Sequence, residues 1–244
     1  MTPKEAVKKI FAEFPFDDYL PANDCAHIHI AKVVEKYLKR GSKILDFGSG
    51  PCDKTAVLQC MGYQCHAFDD LNDDWHRKNG NREKILGFAE NLGIVYHEPK
   101  GDDFPFNNEK FDMIMLHDVI EHLHESPKEL LTKLLSRLNK GGYLFITVPN
   151  AVNARKRLFV IMGKTNYPPF DSFFNYPGPW RGHVREYVKN DLEQLCALLG
   201  LKKIILSGCD HMLDKVPRAV QSLYCGITSM FDSVKDSLVL LAKK

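Results

Sequence analysis

The sequence predicts an α/β fold: a doubly wound, mostly parallel seven-stranded sheet with an inserted cover after its fifth strand. Three observations carry this. Apolar runs of strand length alternate with stretches of helical period. The run "FDMIMLH", Phe111–His117, is nearly continuous in apolar residues, as a strand covered on both faces must be. The first run ends on an acid and two close glycines before a helical pattern resumes, in "KILDFGSGPCDKT", Lys43–Thr55. Because crossovers between parallel strands are right-handed, few other arrangements remain.

The elements follow in order. Residues 23–40 place Ile30, Val33, Val34, Tyr37 and Leu38 on one helical stripe, with Asn23 or Asp24 as cap and Gly41 as stop. Lys43–Phe47 reads as strand, Asp53–Met61 as helix, Tyr63–Phe68 as strand, Arg82–Asn91 as helix and Ile94–His97 as strand. After Phe111–His117 comes "SPKELLTKLLSRLNKGG". Ser126 is its cap, Pro127 fits the first turn, Glu129 completes a capping box, five leucines form the stripe, and Gly141 ends it. "YLFITVP" is the fifth strand. The alternation then breaks. A basic, helix-compatible piece, "NARKRLFVIMGK", leads into "TNYPPFDSFFNYPGPW", where six aromatics and four prolines fall within sixteen residues. Helix resumes over Asn190–Leu199, with Asn190 and Glu193 as capping pair, followed by strands over Lys203–Leu206 and Ser237–Leu241. The material between those strands, 208–235, is too long for a hairpin turn.

A chain of 244 residues with 44% hydrophobic and 26% charged residues is an ordinary globular composition. A formal charge of +2 gives no general attraction to polyanions, so nucleic acid is not an expected partner. The seven cysteines show no Cys-x-x-Cys pair and read as reduced thiols. The start, "MTPKEAVKKIFAEF", is broken by charge throughout, and no run of eighteen apolar residues occurs. A cytoplasmic protein without a transmembrane segment is expected. Segment 212–235 can form an amphipathic helix able to touch lipid, although covering a sheet edge is the plainer role.

In an open parallel sheet the ligand crevice lies beyond the carboxyl ends of the strands, where the turn after the first strand sits. Gly48 and Gly50 lack a Cβ and let a ligand approach the backbone, while Asp46 sets a negative charge at the strand end. A dinucleotide site wants Gly-x-Gly-x-x-Gly. Here the sixth position is Asp53, and two carboxylates around that helix start repel a pyrophosphate and suit a ligand bearing an ammonium group. The second strand ends on Asp69 and Asp70, at the distance where an acid takes ribose hydroxyls; Asp69 lies directly at the strand end.

Together these residues resemble the class I S-adenosylmethionine-dependent methyltransferases, in the bacterial small-molecule or glycan branch. "ILDFGSGPC" is similar to the family's first motif, with Cys52 where a third glycine is usual. The resemblance covers roughly residues 42–150 and implies S-adenosylmethionine as cofactor. It implies that Gly48 and Gly50 border the methionine moiety, Asp46 favours its amino group, and Asp69 or Asp70 holds the ribose. It also implies that Asp102 or Asp103 of "KGDDFPF" holds the adenine amine with Phe104 against the ring, and that His117 lines the pocket. It divides one domain, 1–244, into N-terminal helices to 41, a cofactor-binding core over 42–150, a substrate cover over 151–188, and the rest of the sheet over 189–244 with an insertion at 208–235.

Methyl transfer is an in-line displacement, and near-attack positioning alone can supply about 7–11 kcal/mol, so dedicated catalytic groups can be few. An oxygen or nitrogen acceptor must lose a proton, for which a histidine suits. His183 in "WRGHVREY", His122 and His117 are the candidates, and His124 reads as a solvated residue leading a helix. "DVIEHL" spaces Asp118, Glu121 and His122 as acid, acid and histidine, with His183 as a fourth ligand. That arrangement resembles the metal-assisted sites of small-RNA 3′-terminal 2′-O-methyltransferases and quinone O-methyltransferases, which implies a divalent ion lowering the acceptor hydroxyl's pKa. In metal-free relatives the same Glu-His pair caps and orients the helix. The cover supplies Tyr167, Phe170, Phe173, Phe174, Tyr176 and Trp180 beside Arg155, Lys156, Arg157, Arg181 and Arg185. These suit a sugar, a sugar phosphate, a phosphorylated lipid carrier or a flat small molecule. The readings to separate are therefore a small-molecule or glycan O- or N-methyltransferase, a metal-assisted RNA 2′-O-methyltransferase, and a non-catalytic protein that keeps the fold for binding.

Overall fold

The computed structural model describes residues 1–100, 104–106, 108–211, 216 and 218–244. Its strands are β1 (Lys43–Phe47), β2 (Gln64–Phe68), β3 (Val95–His97), β4 (Phe111–His117), β5 (Leu138–Pro149), β6 (Lys202–Cys209) and β7 (Ser237–Lys243). They form one seven-stranded sheet in the order β3-β2-β1-β4-β5-β7-β6. β1 pairs in parallel with β2 and β4, β2 pairs in parallel with β3, and β6 runs antiparallel to β7. The expected α/β class and strand count are thus met. The chain divides into two compact units, Met1–His117 with Lys133–Phe145 and Lys244, and Asp118–Thr132 with Ile146–Lys243.

In the first unit, α1 (Pro3–Glu13) starts in a reciprocal cap: the Glu5 N–H donates to Thr2 Oγ1 and the Thr2 N–H donates to Glu5 Oε2. Its Ala6, Val7 and Ile10 are buried. The helix α2 (Cys25–Tyr37) is shorter than the 23–40 expected, and no side chain of its Asp24 N-cap bonds the first turn. Asn23 Oδ1 instead accepts from Cys25 N–H. The turn after β1 feeds α3 (Asp53–Cys60), and α4 (Asp74–Arg77) and α5 (Asn81–Asn91) follow β2. The register that sets Asp46 beside Ala67 and Met115, and Phe47 beside Phe68, brings the carboxyl ends of β1 and β2 level with one another. That shared edge is where the glycine turn lies.

One boundary differs from expectation for a clear reason. The leucine helix α6 spans Pro127–Ser136, so Gly141 does not end it but lies inside β5. Phe111 N–H donates to Arg137 O, which draws the chain into the sheet just after the helix, and Gly141 N–H donates to Lys244 O. Gly142 has no room for a side chain, because a Cβ there would stand 2.9 Å from Asp112 O.

The second unit opens with a 3₁₀ turn at Ile120–His122 and carries the cover as α7 (Ala154–Ile161) and α8 (Phe170–Phe174), then α9 (Lys189–Leu198) and α10 (Arg218–Met230). Asn153 caps α7 by accepting from Lys156 N–H. The N-cap of α9 is Val188, whose N–H donates to Asp191 Oδ2 in the first turn at 3.1 Å, so the expected Asn190–Glu193 pair does not form; Glu193 pairs with Lys203 instead. Leu223 and Met230 of α10 are 68% exposed. No helix among the described residues is long and apolar enough to cross a membrane.

Candidate active site

The glycine turn is built by left-handed backbone. Gly48 and Gly50 have φ of +76° and +51°, and Cys52, the residue standing where a glycine was expected, has φ +66°. The position therefore demands the conformation glycine adopts freely, and cysteine holds it at a cost of about 1–2 kcal/mol. The Gly48 and Ser49 N–H groups donate to Phe68 O, and Gly50 N–H donates to Asp69 Oδ2 at 2.9 Å. Asp69 Oδ1 accepts from Leu71 N–H. One carboxylate at the end of β2 thus holds both the glycine turn and its own loop. A carboxylate has about four lone-pair sites, so it keeps capacity for hydroxyls. Asp70 is exposed, and its Oδ1 accepts from Asn72 N–H.

Asp46 is 2% exposed and accepts from Thr55 Oγ1–H at 2.6 Å. Burial pushes its carboxyl up to about 6; the Thr55 bond and the Lys54 charge offset only part of that. Asp53 behaves in the opposite way. Burial would raise it, yet Lys54 and the His27 imidazole, 2.6 Å away, pull it well below the usual carboxylate range. This corrects one step of the sequence argument: Asp53 is neutralised within the protein, so the acidity facing a ligand at this turn comes from Asp46 and Asp69.

Three residues at the turn carried no sequence signal. Tyr96 Oη–H donates to Gly50 O at 3.0 Å. A Cβ on Gly50 would meet Tyr19 Oη at 3.4 Å and His76 Nε2 at 3.8 Å. Tyr19 leans on Trp75, ring centroids 4.8 Å apart, and His76 is buried with Nδ1 unbonded. They come from the stretch before α2, from α4 and from β3, where spacing within a single element reveals nothing. Phe104 stands edge-on to Phe47 and Phe68, which stack on each other at 4.7 Å. Asp102 and Asp103 lie outside the described residues. His117, at the end of β4, is buried with its ring against Phe145.

As a test of fit, the turn offers backbone room at Gly48 and Gly50, acids at Asp46 and Asp69, an aromatic group at Phe104, and an unsatisfied imidazole nitrogen at His76. No pyrophosphate partner is apparent in that set, whereas a cationic nucleoside with ribose and base matches it.

The second unit brings His122 and His183 together, rings 4.9 Å apart. His122 Nδ1–H donates to Arg181 O at 2.8 Å. His183 Nδ1–H donates to Glu186 Oε1 at 2.9 Å, and Glu186 Oε2 receives Lys156 Nζ. A carbonyl or carboxylate accepts only, so each neutral ring carries its lone pair on Nε2. Burial would raise Glu186, but its hydrogen bonds to His183 and Lys156 bring it below the ordinary value. Glu121 is fully buried with neither carboxylate oxygen bonded, and burial, then the Asp118 charge, push it up to about 9. Ligand atoms of Glu121, His122 and His183 lie within 4.8 Å of one another; Asp118 is not in that group. Asp118 instead has φ +58°, a strained position at the start of the turn. His124 is exposed but not simply solvated, since its Nε2–H donates to Trp180 O at 2.6 Å.

Known proteins share this fold. The solved structure of a cyclopropane-fatty-acyl-phospholipid synthase-like protein from Lactobacillus casei matches 99% of this chain and all of its own, with TM-score 0.62 at 14% identity. A SAM-dependent methyltransferase from Aquifex aeolicus matches with TM-score 0.56 at 15% identity over 97% of each chain. TehB from Haemophilus influenzae matches 98% of this chain and 67% of its own, with TM-score 0.57 at 14% identity. An uncharacterized protein from Methanocaldococcus jannaschii is 32% identical over 66 residues, which span 27% of this chain and 32% of that protein's length. The family model described as a methyltransferase domain matches residues 23–205. The chain belongs to the S-adenosylmethionine-dependent methyltransferase family.

Proposed function

We propose that the protein transfers a methyl group from S-adenosylmethionine to an oxygen or nitrogen of a small-molecule or glycan-type acceptor. The observation that carries this reading is the acid-flanked glycine turn, with Asp69 bonded to Gly50 N–H and Asp46 buried beneath it. Bound there, S-adenosylmethionine supplies an electrophilic methyl group on a sulfonium. Gly48 and Gly50 admit its methionine moiety to the backbone, Asp46 draws its ammonium, Asp69 takes ribose hydroxyls, and Phe104 and His117 flank the base. His183 Nε2 accepts the acceptor's proton. Its Nδ1–H is held by Glu186, which fixes the tautomer and stabilises the imidazolium that forms, and Lys156 holds Glu186 in turn. The seven cysteines are free thiols, which suits a reducing compartment, and a cytoplasmic location belongs to the same reading. Calorimetric titration with S-adenosylmethionine tests it. Asp69→Ala and Gly48→Val are each expected to lose binding, and affinity unchanged from the parent in both variants would overturn the site.

A second reading is favoured by one observation, the buried Glu121 carboxylate with neither oxygen bonded beside two imidazoles whose Nδ1–H groups are already engaged. Glu121, His122 and His183 would hold a divalent ion there, which would lower the pKa of an acceptor hydroxyl, RNA 2′-hydroxyls included. Titration with Mn²⁺, followed by calorimetry and by the electron-spin signal of the free ion, decides it. Binding lost in Glu121→Gln supports this reading, and no uptake by the unaltered protein ends it.

A further inference from the structure

The second unit holds a cavity of about 640 Å³, within the range of small-molecule sites, and His183 is on its wall. Tyr167, Phe170, Phe173 and Trp180 supply half of the remaining lining residues, and among the described residues that line it there is no Lys, Arg, Asp or Glu. The position of Trp180 is built in. A Cβ on Gly182 would lie 2.2 Å from the indole ring, so the absent side chain is what lets the ring rest there. Trp180 Nε1–H donates to His183 O, and Trp180 O accepts from His124, so the aromatic wall and the proposed base are fixed to each other. Phe173 and Tyr176 stand edge-on to the same indole at 5.3 and 5.1 Å.

These walls discriminate between acceptor classes. A phosphate or carboxylate set against this lining meets no Lys or Arg to replace the water it gives up. A sugar needs many directed hydrogen bonds, and the lining offers few polar groups, of which the His124 Nε2–H is already given to Trp180 O. A flat uncharged ring matches the aromatic faces on both counts. The acceptor's own chemistry points the same way, because an aryl hydroxyl gives up its proton far more readily than a sugar hydroxyl.

We infer that this cavity is the acceptor site and that the acceptor is an uncharged aryl hydroxyl compound, its ring set among Tyr167, Phe170, Phe173 and Trp180 and its hydroxyl presented to His183. The assignment of methyl transfer to that hydroxyl rests on the reading proposed above. In the step, the aryl oxygen bonds the methyl carbon as the donor's carbon–sulfur bond breaks, the electron pair stays on sulfur, and the hydroxyl proton goes to His183 Nε2 and then to water.

The test uses the full chain, three binding probes, 2-naphthol, 2-naphthyl phosphate and methyl glucoside, and catechol as a second phenol for turnover. Calorimetry without cofactor is expected to show 2-naphthol binding, at least tenfold weaker in Phe173→Ala, with the other two probes at least tenfold weaker than 2-naphthol. Tyr167, 77% exposed, gives a second variant that leaves folding intact, and Tyr167→Ala is expected to weaken 2-naphthol as well. With S-adenosylmethionine added, mass spectrometry is expected to find methylated 2-naphthol or catechol, with the rate falling at least a hundredfold in His183→Ala while 2-naphthol binding persists. Tighter binding of the phosphate or the glucoside, or 2-naphthol binding unchanged in both aromatic variants, overturns the assignment. So does failure to methylate either phenol in a protein that binds S-adenosylmethionine. Cofactor titration is run separately: if it fails, the methyltransferase reading falls, while the naphthol titrations still decide what the cavity accepts.

Discussion

Replacing Asp46 by Asn is expected to make the protein more stable and less able to bind its cofactor. The carboxyl is raised from 3.8 to about 6, mainly by burial. Roughly two pK units correspond to about 3 kcal/mol of differential interaction. Because the folded-state value lies above the unfolded one, the contribution from this group is in place below pH 3.8 and is lost as the pH rises through about 6. Above that pH the native protein carries a buried charge that the unfolded chain carries in water. Asn removes the charge and can still accept from Thr55 Oγ1–H. At pH 8 the variant should therefore gain up to about 3 kcal/mol, or roughly 6–12 °C in Tm for a chain of this size, and the gain should vanish near pH 4. Cofactor affinity should move the other way, losing about 1.5–3 kcal/mol of a charge-assisted contact, roughly 10–150-fold in Kd. In the unaltered protein the Kd should be nearly flat from pH 6.5 to 7.5 and approach a tenfold loss per unit below about 6. Chemical denaturation at several pH values and calorimetry with S-adenosylmethionine are the assays. A variant less stable than the parent at pH 8, or a Kd indifferent to pH between 5 and 7.5, would refute the reasoning.

Three further outcomes follow from the geometry. Gly182→Ala puts a Cβ 2.2 Å from the Trp180 ring, so the indole must leave, with a loss of about 1–3 kcal/mol by thermal melting and quenched acceptor binding while cofactor affinity stays. Glu186→Gln removes the charge that holds His183 Nδ1–H, 2.9 Å away; turnover should fall by about a hundredfold or more with little change in cofactor Kd, and the pH–rate profile should shift. Cys52→Gly relieves a left-handed residue at φ +66° but deletes a buried thiol, so its stability should lie within about 1 kcal/mol of the parent, whereas Cys52→Val should lose more than about 2 kcal/mol.

What could be read from the chain alone was whatever is local. β1 and β4 fall on their expected residues because their apolar runs are bounded by charge or glycine on both sides. Gly48, Gly50 and Asp46 drew notice because they fall within one short turn, and the structure sets Asp69 against that turn from 19 residues away, through its bond to Gly50 N–H. Gly141 misled, since a glycine after a leucine stripe is a good helix stop, and only pairing with the distant Lys244 shows that the chain has already entered β5. The partner of His183 was hidden in plain view: Glu186 is three residues away, but nothing in a loop sequence says which two side chains face each other. Tyr19, His76 and Tyr96 meet at Gly50 from three separate elements, so no window along the chain contains them. Asp53 was misread because nothing along the chain shows that the adjacent Lys54 turns its ammonium to within 3.6 Å of that carboxylate, or that His27, 26 residues earlier, bonds it.

Three buried acids show how the folded structure separates support from function. Asp53 is neutralised inside the protein, with His27 and Lys54 pulling it well below the usual range even though burial works against them. A group so satisfied needs nothing from outside, and its role is to fasten α2 to the start of α3. Asp46 has one neutral donor in Thr55 and remains raised to about 6; Glu121 has no hydrogen bond to either oxygen and is raised to about 9. Burying a carboxylate without an internal counter-charge costs several kcal/mol, and that cost is recovered only when something positive arrives. For Asp46, at the glycine turn, the proposed site gives that part to an ammonium group on the cofactor. For Glu121, beside two imidazoles whose Nδ1–H groups are taken, a proton or a divalent ion meets it. On the readings proposed above, these two unbalanced acids, one in each unit, are the positions where binding and titration experiments discriminate most sharply.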